Sequence, residues 1–188
     1  LVASPLMLYF IFYAKEGIVF LSGNAYEGSI LPMQIIMPTL LFIGITNILG
    51  IQMLVPMGKE KVVLYSEIAG AIVDVIINTL LIPRFASAGA AIGTLVAEFV
   101  VLVVQYIALK DDVIETLKQI HYGRITIALI LGTAASLWVK MLGLGSFLTL
   151  VISAVLFFGV YGVFLLIRKE EMTVEIWNMV VGRLVKKE

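Results

Sequence analysis

Glu98 is an isolated carboxylate. The run GAAIGTLVAEFVV holds no other ionisable side chain, and the surrounding stretch 86–109 is otherwise free of charge. A second polar set precedes it. Glu67, Ala71, Asp74 and Asn78 recur at i, i+4, i+7 and i+11, a spacing that lines three polar groups and one small residue along one stripe of a helix. Ala91, Thr94, Glu98 and Gln105 share a face in the same manner. Gln34, Asn47 and Gln52 lie in an earlier apolar stretch, and Lys15 and Glu16 stand adjacent in the first one. Adjacent residues on a helix point about 100° apart, so Lys15 and Glu16 are not an intrahelical pair. One can face the interior while the other snorkels to an interface. Carboxylates and carboxamides in such a pattern can hold a cation, relay a proton or hydrogen-bond hydroxyl groups.

Nucleophilic and metal chemistry find little support. With no cysteine, disulfide frameworks, thiolate metal sites and cysteine nucleophiles are excluded. The single histidine, His121, lies among Lys118, Gln119 and Arg124 and reads as a solvated loop residue. Walker A, HExxH and GxSxG patterns are absent, and the glycines are dispersed rather than gathered into a phosphate-cradling loop. The chain is therefore not expected to be an enzyme. No cofactor, no metal and no nucleic-acid partner are expected.

The elements that must carry these residues are membrane helices. Of the 188 residues 61% are hydrophobic and 14% charged, against about 45–50% and 25% in soluble domains, and the mean hydropathy is +1.09. The lipid bilayer is the expected surrounding. Six segments approach the length of about 20 apolar residues that a bilayer core requires: 3–22, 30–55, 62–83, 86–109, 125–142 and 147–167. Pro38 should kink the second, and Pro83 should end the third. The divisions that follow are four transmembrane helices over 1–109, a cytoplasmic loop over 110–124, two further transmembrane helices over 125–167 and a cytoplasmic tail over 168–188. In the tail Met172, Ile176, Trp177, Val180 and Leu184 recur at near-helical spacing, as in an interfacial amphipathic helix.

Basic residues set the orientation. Lys59 and Lys61, then Lys110, Lys118 and Arg124, then Arg168, Lys169, Arg183, Lys186 and Lys187 fall on one side if the six segments cross alternately. The other side holds Arg84, with Lys140 near a helix end. The positive-inside rule makes the first side cytoplasmic and puts the C-terminus inside. Leu1 falls within apolar sequence with no basic n-region, so a piece of a longer chain is expected rather than a signal peptide.

An ionisable group at the bilayer centre costs at least about 2.5–3.5 kcal/mol on insertion scales. Glu98, about twelve residues into its span, should face a bundle interior or a wet cavity. Two uses are open. The polar groups can hydrogen-bond across helices and hold the bundle together, at about 0.6 kcal/mol each. They can instead line a path for a polar substrate or a coupling ion, the preferred reading for Asp74 and Glu98. Gly89 and Gly93 form a small-xxx-small face, and Gly70 repeats the spacing with Ser66. The tight turn PRFASAG then predicts an antiparallel hairpin in which Asp74 and Glu98 reach similar depth.

The runs SGNAYEGSILPMQIIMPTLLFIGITNILGIQMLVPMGKEKVVLYS and GAIVDVIINTLLIPRFASAGAAIGTLVAEFVVLVVQ resemble the C-terminal half of polysaccharide transporters. These are the O-antigen and capsule repeat-unit flippases of the multidrug/oligosaccharidyl-lipid/polysaccharide exporter superfamily. The resemblance covers residues 15–109, most specifically at the junction after Gln52 and in the stretch from Asn78 to Glu98; the last two spans and the tail match only in kind. It implies an all-α integral membrane protein in which six transmembrane helices form most of the second lobe of a 12- or 14-helix transporter, followed by a C-terminal amphipathic helix. It implies a bacterial inner-membrane flippase that moves a polyprenyl-phosphate-linked oligosaccharide to the outer leaflet, working with a missing N-terminal lobe of the same chain. The pathway residues under this reading are Asp74, Glu98, Asn78, Gln52, Lys15 and Glu16, with Gly89, Gly93 and Gly70 packing the helices. Coupling to H⁺ or Na⁺ stays open. A cation-coupled multidrug exporter of the same superfamily and a non-transporting membrane scaffold are the alternatives.

Overall fold

The computed structural model describes residues 1–119, 122–168 and 173, and side chains through 113 and from 122 onward. Apart from Arg168 and Thr173, the amphipathic tail expected over 168–188 lies outside the described residues, as does His121. The described chain is helical and contains no strand. It divides into two compact units, 1–120 and 121–188, each considered separately here.

The first unit begins with α1 (Ala3–Phe12) and α2 (Ala14–Ser22), which meet at a 73° bend. Tyr13 makes the bend, with φ −106° and ψ 20°. It is fully buried, and its ring stacks on Tyr9 at 4.8 Å. A 3-10 segment, Asn24–Ser29, leads into α3 (Ile30–Ile36), and α4 (Thr39–Asn47) continues after Pro38. The interruption thus falls at the proline, as expected from its missing N–H. A π-helical segment, Ile48–Leu54, follows, its wider winding marked by the bond from the Val55 N–H to the Gly50 carbonyl. Gln34 donates to the Ile11 carbonyl at 3.0 Å and ties α3 to α1.

The next helical stretch, α5, runs from Glu60 to Gln119 and consists of two helices joined at a kink. Its apolar part alone has 54 residues and would measure about 80 Å if straight, far more than a bilayer core of about 30 Å. It is not straight. Ala86 stands at φ 48°, ψ −126°, a region that L-residues other than glycine avoid, and the chain reverses there. The arms 60–85 and 87–119 then pack antiparallel. Ser66 faces Gln105, Gly70 faces Ala97 and Val101, Gly93 faces Asp74 and Asn78, and Gly89 faces the Leu81 backbone. The first arm thus ends just after Pro83, close to where the proline suggested. Pro83 lies in the last turn before the reversal, so the bond that it forfeits, to the carbonyl of Thr79, interrupts little. The stretch 110–119, expected as the start of a cytoplasmic loop, continues the helix.

Three glycines set the hairpin's closeness. A Cβ added at Gly89 would stand 2.6 Å from the carbonyl carbon and oxygen of Leu81, one at Gly70 3.2 Å from the Ala97 carbonyl oxygen, and one at Gly93 would collide with the Asn78 amide. At Gly89 and Gly70 these neighbours include backbone atoms that cannot step aside. The earlier helices lie on this hairpin, with Phe42 of α4 against Phe99 at 5.7 Å. Leu49, Leu54, Leu109 and Val113 form a buried apolar cluster at one end.

The second unit is simpler. α6 (Tyr122–Leu137) ends in a 3-10 turn, Trp138–Leu142, and α7 (Ser146–Ile167) packs along it. Ala128, Gly132 and Ser136 are the buried residues of α6, one per turn, a small-residue stripe that lets α7 approach. A Cβ at Gly132 would lie 2.9 Å from the Phe157 carbonyl oxygen. α7 buries Thr149, Ser153, Phe157, Tyr161 and Leu165, again one per turn, and leaves Val151, Val155 and Val163 exposed. Among the described residues four helices are long and apolar enough to cross a membrane: Asn24–Leu54, Glu60–Val113, Tyr122–Leu142 and Ser146–Ile167. Counting the bent pair α1 and α2 as one span makes five.

Two substitutions with opposite signs test the hairpin. Ala86→Gly removes the strain of a positive φ and is expected to stabilise the protein by about 1 kcal/mol. Gly89→Ala forces a methyl into the Leu81 backbone and is expected to destabilise by about 1–3 kcal/mol. Gly17→Ala, whose methyl meets only the Met33 methyl at 3.9 Å, is the neutral control. Thermal unfolding of the purified variants in detergent micelles reads all three.

Candidate functional site

The α5 hairpin positions the carboxylates. Glu67 and Asp74 project from its first arm and Glu98 from its second, and together with Gly70, Ala71, Thr94, Ala97 and Val101 they line a cavity of about 210 Å³. A second cavity, of about 270 Å³, lies where the π segment and α4 cover the hairpin. Its walls include Thr46, Asn47, Gly50, Glu67, Glu98 and Gln105. Glu67 and Glu98 line both, so the two cavities adjoin along these side chains. The small residues Gly70, Ala71 and Ala97 leave the room that the first cavity occupies.

The hydrogen bonding within the hairpin is sparse and directional. Asn78 donates its Nδ2 to Oδ2 of Asp74 at 3.0 Å, one turn away on the same arm. The remaining oxygens of this pair, Asp74 Oδ1 and Asn78 Oδ1, are buried without a hydrogen-bond partner and lie against Gly93. The Gly93 Cα–H can offer them only a weak contact. Gln105 is 1% exposed and donates Nε2 to Ser66 Oγ at 3.0 Å across the arms. Ser66 has already committed its own proton to the Val63 carbonyl at 2.7 Å. Its oxygen can therefore only accept, which fixes the Gln105 amide with nitrogen toward Ser66 and oxygen away from it. That oxygen, Oε1, is buried, has no hydrogen-bond partner and sits over Gly50, 3.2 Å from where a Cβ would stand. Glu98 itself makes no hydrogen bond or ion pair with a described residue.

The residues singled out in the sequence separate into two groups. Asp74, Asn78 and Glu98 come together in the hairpin, with Gly70 and Gly93 making the space around them. Lys15, Glu16 and Gln52 line neither cavity. Lys15 is exposed and lies 3.9 Å from Glu27 in an ion pair beside the first connection. Gln52 is exposed on the π segment, and Glu16 is half-buried on α2. The structure adds Glu67, Thr46, Asn47 and Gln105 to the cavity walls. Glu67 belongs to the same stripe as Asp74, and that stripe was the signal for it. Gln105 packs across the arms through its bond to Ser66, a contact that depends on the register between them.

The lining is chemically one-sided. The carboxylates of Glu67, Asp74 and Glu98, the carboxamides of Asn47 and Gln105 and the hydroxyls of Thr46 and Thr94 line the cavities, and no lysine, arginine or histidine does. Among the described residues no three potential metal ligands converge as they would around a metal ion. The lining is acidic and polar without a basic side chain, which suits a ligand that brings donors or positive charge. Like charges on Glu67 and Glu98 repel in the empty cavity, and a cationic or donor-rich occupant relieves that repulsion.

Because Glu98 is a costly group with no bond to lose, Glu98→Leu is expected to leave thermal stability unchanged or to raise it by about 1 kcal/mol or more. Gln105→Leu breaks a buried interhelical bond and is expected to lower stability by about 0.6 kcal/mol. Unfolding of both in detergent micelles checks this, and a large loss for Glu98→Leu would make that residue structural. Comparison of the chain with family models, with curated proteins and with solved structures returns no match.

Proposed function

We propose that this chain is most of the second lobe of a bacterial inner-membrane transporter that flips a polyprenyl-linked oligosaccharide from the inner to the outer leaflet. The observation that carries the reading is the acid-lined hollow of Glu67, Asp74 and Glu98 between helices that are otherwise apolar. Carboxylates at that position are expensive as glue, and a polar headgroup crossing a bilayer needs such a path while its polyprenyl tail stays in lipid. The sequence resemblance supplies the substrate class. Six spans follow if the two arms of α5 are separate crossings and α1 with α2 is a broken one, and the basic connections then favour a cytoplasmic C-terminus. Discontinuous helices near a polar path are a common device of alternating-access transporters, and the π segment beside Gln105 supplies one.

A second reading is favoured by a specific feature. A phosphate-bearing headgroup calls for cations, and neither cavity lining contains one. A cation-coupled multidrug exporter of the same superfamily would use the carboxylates directly, for H⁺, Na⁺ or an organic cation. In the flippase reading the cations for the phosphate belong to the other lobe.

Deletion of the full-length gene separates the two. The flippase reading expects surface polysaccharide to disappear and the lipid-linked repeat unit to accumulate on the cytoplasmic leaflet. The exporter reading expects normal polysaccharide and raised drug sensitivity. Complementation with Glu98→Gln or Asp74→Asn, both isosteric, is expected to reduce export at least about tenfold with membrane insertion intact. That factor corresponds to the loss of one charge-assisted contact of about 1.5–3 kcal/mol. Wild-type export by both variants would remove the pathway role.

A further inference from the structure

The second unit brings two arginines to one end of its helical hairpin. Arg124 stands in the first turn of α6, and Arg168 caps the end of α7. Arg124 Nη1 reaches the Arg168 carbonyl oxygen at 3.4 Å. That contact uses one of the five N–H donors of the guanidinium and leaves the rest. Arg168 folds back along its helix, with its guanidinium 5.6 Å over the Phe164 ring. A cation on a long side chain at a membrane-helix end ordinarily reaches outward to water. Here a cation–π contact holds it one turn back, at the margin of the apolar zone. Both helices, Tyr122–Leu142 and Ser146–Ile167, have the length and apolarity of a crossing, so the end that they share lies at headgroup depth. The exposed Tyr122 suits the aromatic belt at that level.

The two charges lack a balancing acid on their own hairpin. No carboxylate occurs from residue 122 to residue 167, and neither arginine forms an ion pair with a described residue. Like charges at one end repel, and an anion between them relieves the repulsion. Guanidinium forks match phosphate oxygens two at a time. Where two crossing helices end, the bilayer itself supplies phosphate. A lipid of net negative charge complements the pair, whereas a zwitterionic lipid brings its own cation.

We propose that the shared end of α6 and α7 binds the phosphate of one anionic phospholipid, with Arg124 and Arg168 as its guanidinium ligands and Phe164 as the platform that holds Arg168. The inference concerns the second unit alone and does not rest on the transport reading. The competing balance is internal, since Glu170 and Glu171 follow Arg168 by two and three residues.

The test is native mass spectrometry of the intact protein released from detergent micelles, titrated with phosphatidylglycerol, with phosphatidylcholine of the same acyl chains and with inorganic phosphate. One phosphatidylglycerol is expected to bind saturably, at least about tenfold more tightly than phosphatidylcholine. Arg124→Gln and Arg168→Gln are each expected to weaken it about fivefold. Arg84→Gln, which removes an exposed arginine of the first unit, is expected to leave it unchanged. Equal affinity for the two lipids would overturn the proposal. An equal loss in Arg84→Gln would reduce the effect to diffuse attraction and overturn it too. Unchanged binding in both Arg124→Gln and Arg168→Gln would mean that Glu170 and Glu171 already balance the pair. Displacement of the lipid by inorganic phosphate at comparable concentration would make this a site for a free anion and sink the lipid assignment. If a glutamine variant fails to fold, lysine at the same position keeps the charge without the planar fork and is expected to weaken phosphatidylglycerol as well; undiminished binding there would remove the guanidinium contacts from the proposal and overturn it.

Discussion

The close approach of the two arms of α5 is the constraint on which the rest of the first unit depends. Backbone meets backbone at Gly89 and Leu81, and at Gly70 and Ala97, because no Cβ stands between them. In lipid there is no hydrophobic drive to press two apolar helices together, so contact at this range must come from packing and from bonds across the interface. Small residues supply the first. The Ser66–Gln105 bond supplies the second and fixes the register. Once the register is set, Asp74, Glu67 and Glu98 have no freedom about which neighbours they face.

That register also explains why polar groups coexist with so apolar a chain. The carboxylates lie beside small residues of the same interface: Gly70 and Ala97 line the cavity with Glu67, Asp74 and Glu98, and Gly93 packs against Asp74 and Asn78. The π segment fits this scheme, since its Gly50 covers Gln105 and gives that amide oxygen a buried but unfilled place.

The second unit shows the same packing rule without the polar hollow. Ala128, Gly132 and Ser136 make a small-residue stripe, and α7 answers with one buried residue per turn. No carboxylate lies on α6 or α7, so this pair needs no cavity and forms a plain helical hairpin. The difference between the units follows from a few acidic residues placed on α5.

Much was readable from residue order alone. Apolar length and polar interruption are local properties, so the helices, the break at Pro38, the hairpin and the i, i+4, i+7 stripe of Glu67 and Asp74 could be placed before any coordinates. The glycine spacing even indicated which faces would meet. Other features were invisible. The reversal at Ala86 falls within the turn 83–89 expected from PRFASAG, but the residue that takes the left-handed conformation is an alanine and not the proline or the glycine. The helix from 110 onward continued where charge suggested a loop. Lys15 and Gln52 share the polar chemistry of the site but lie elsewhere, and Gln105 joined it through a partner 39 residues away. Sequence by itself determined which residues prefer apolar surroundings and on which helical face each polar group lies, since both follow from side-chain chemistry and a 3.6-residue period. Only the tertiary structure decided which polar faces share a cavity and which amide oxygen stays unmet, because both depend on a register between distant segments that backbone contact sets.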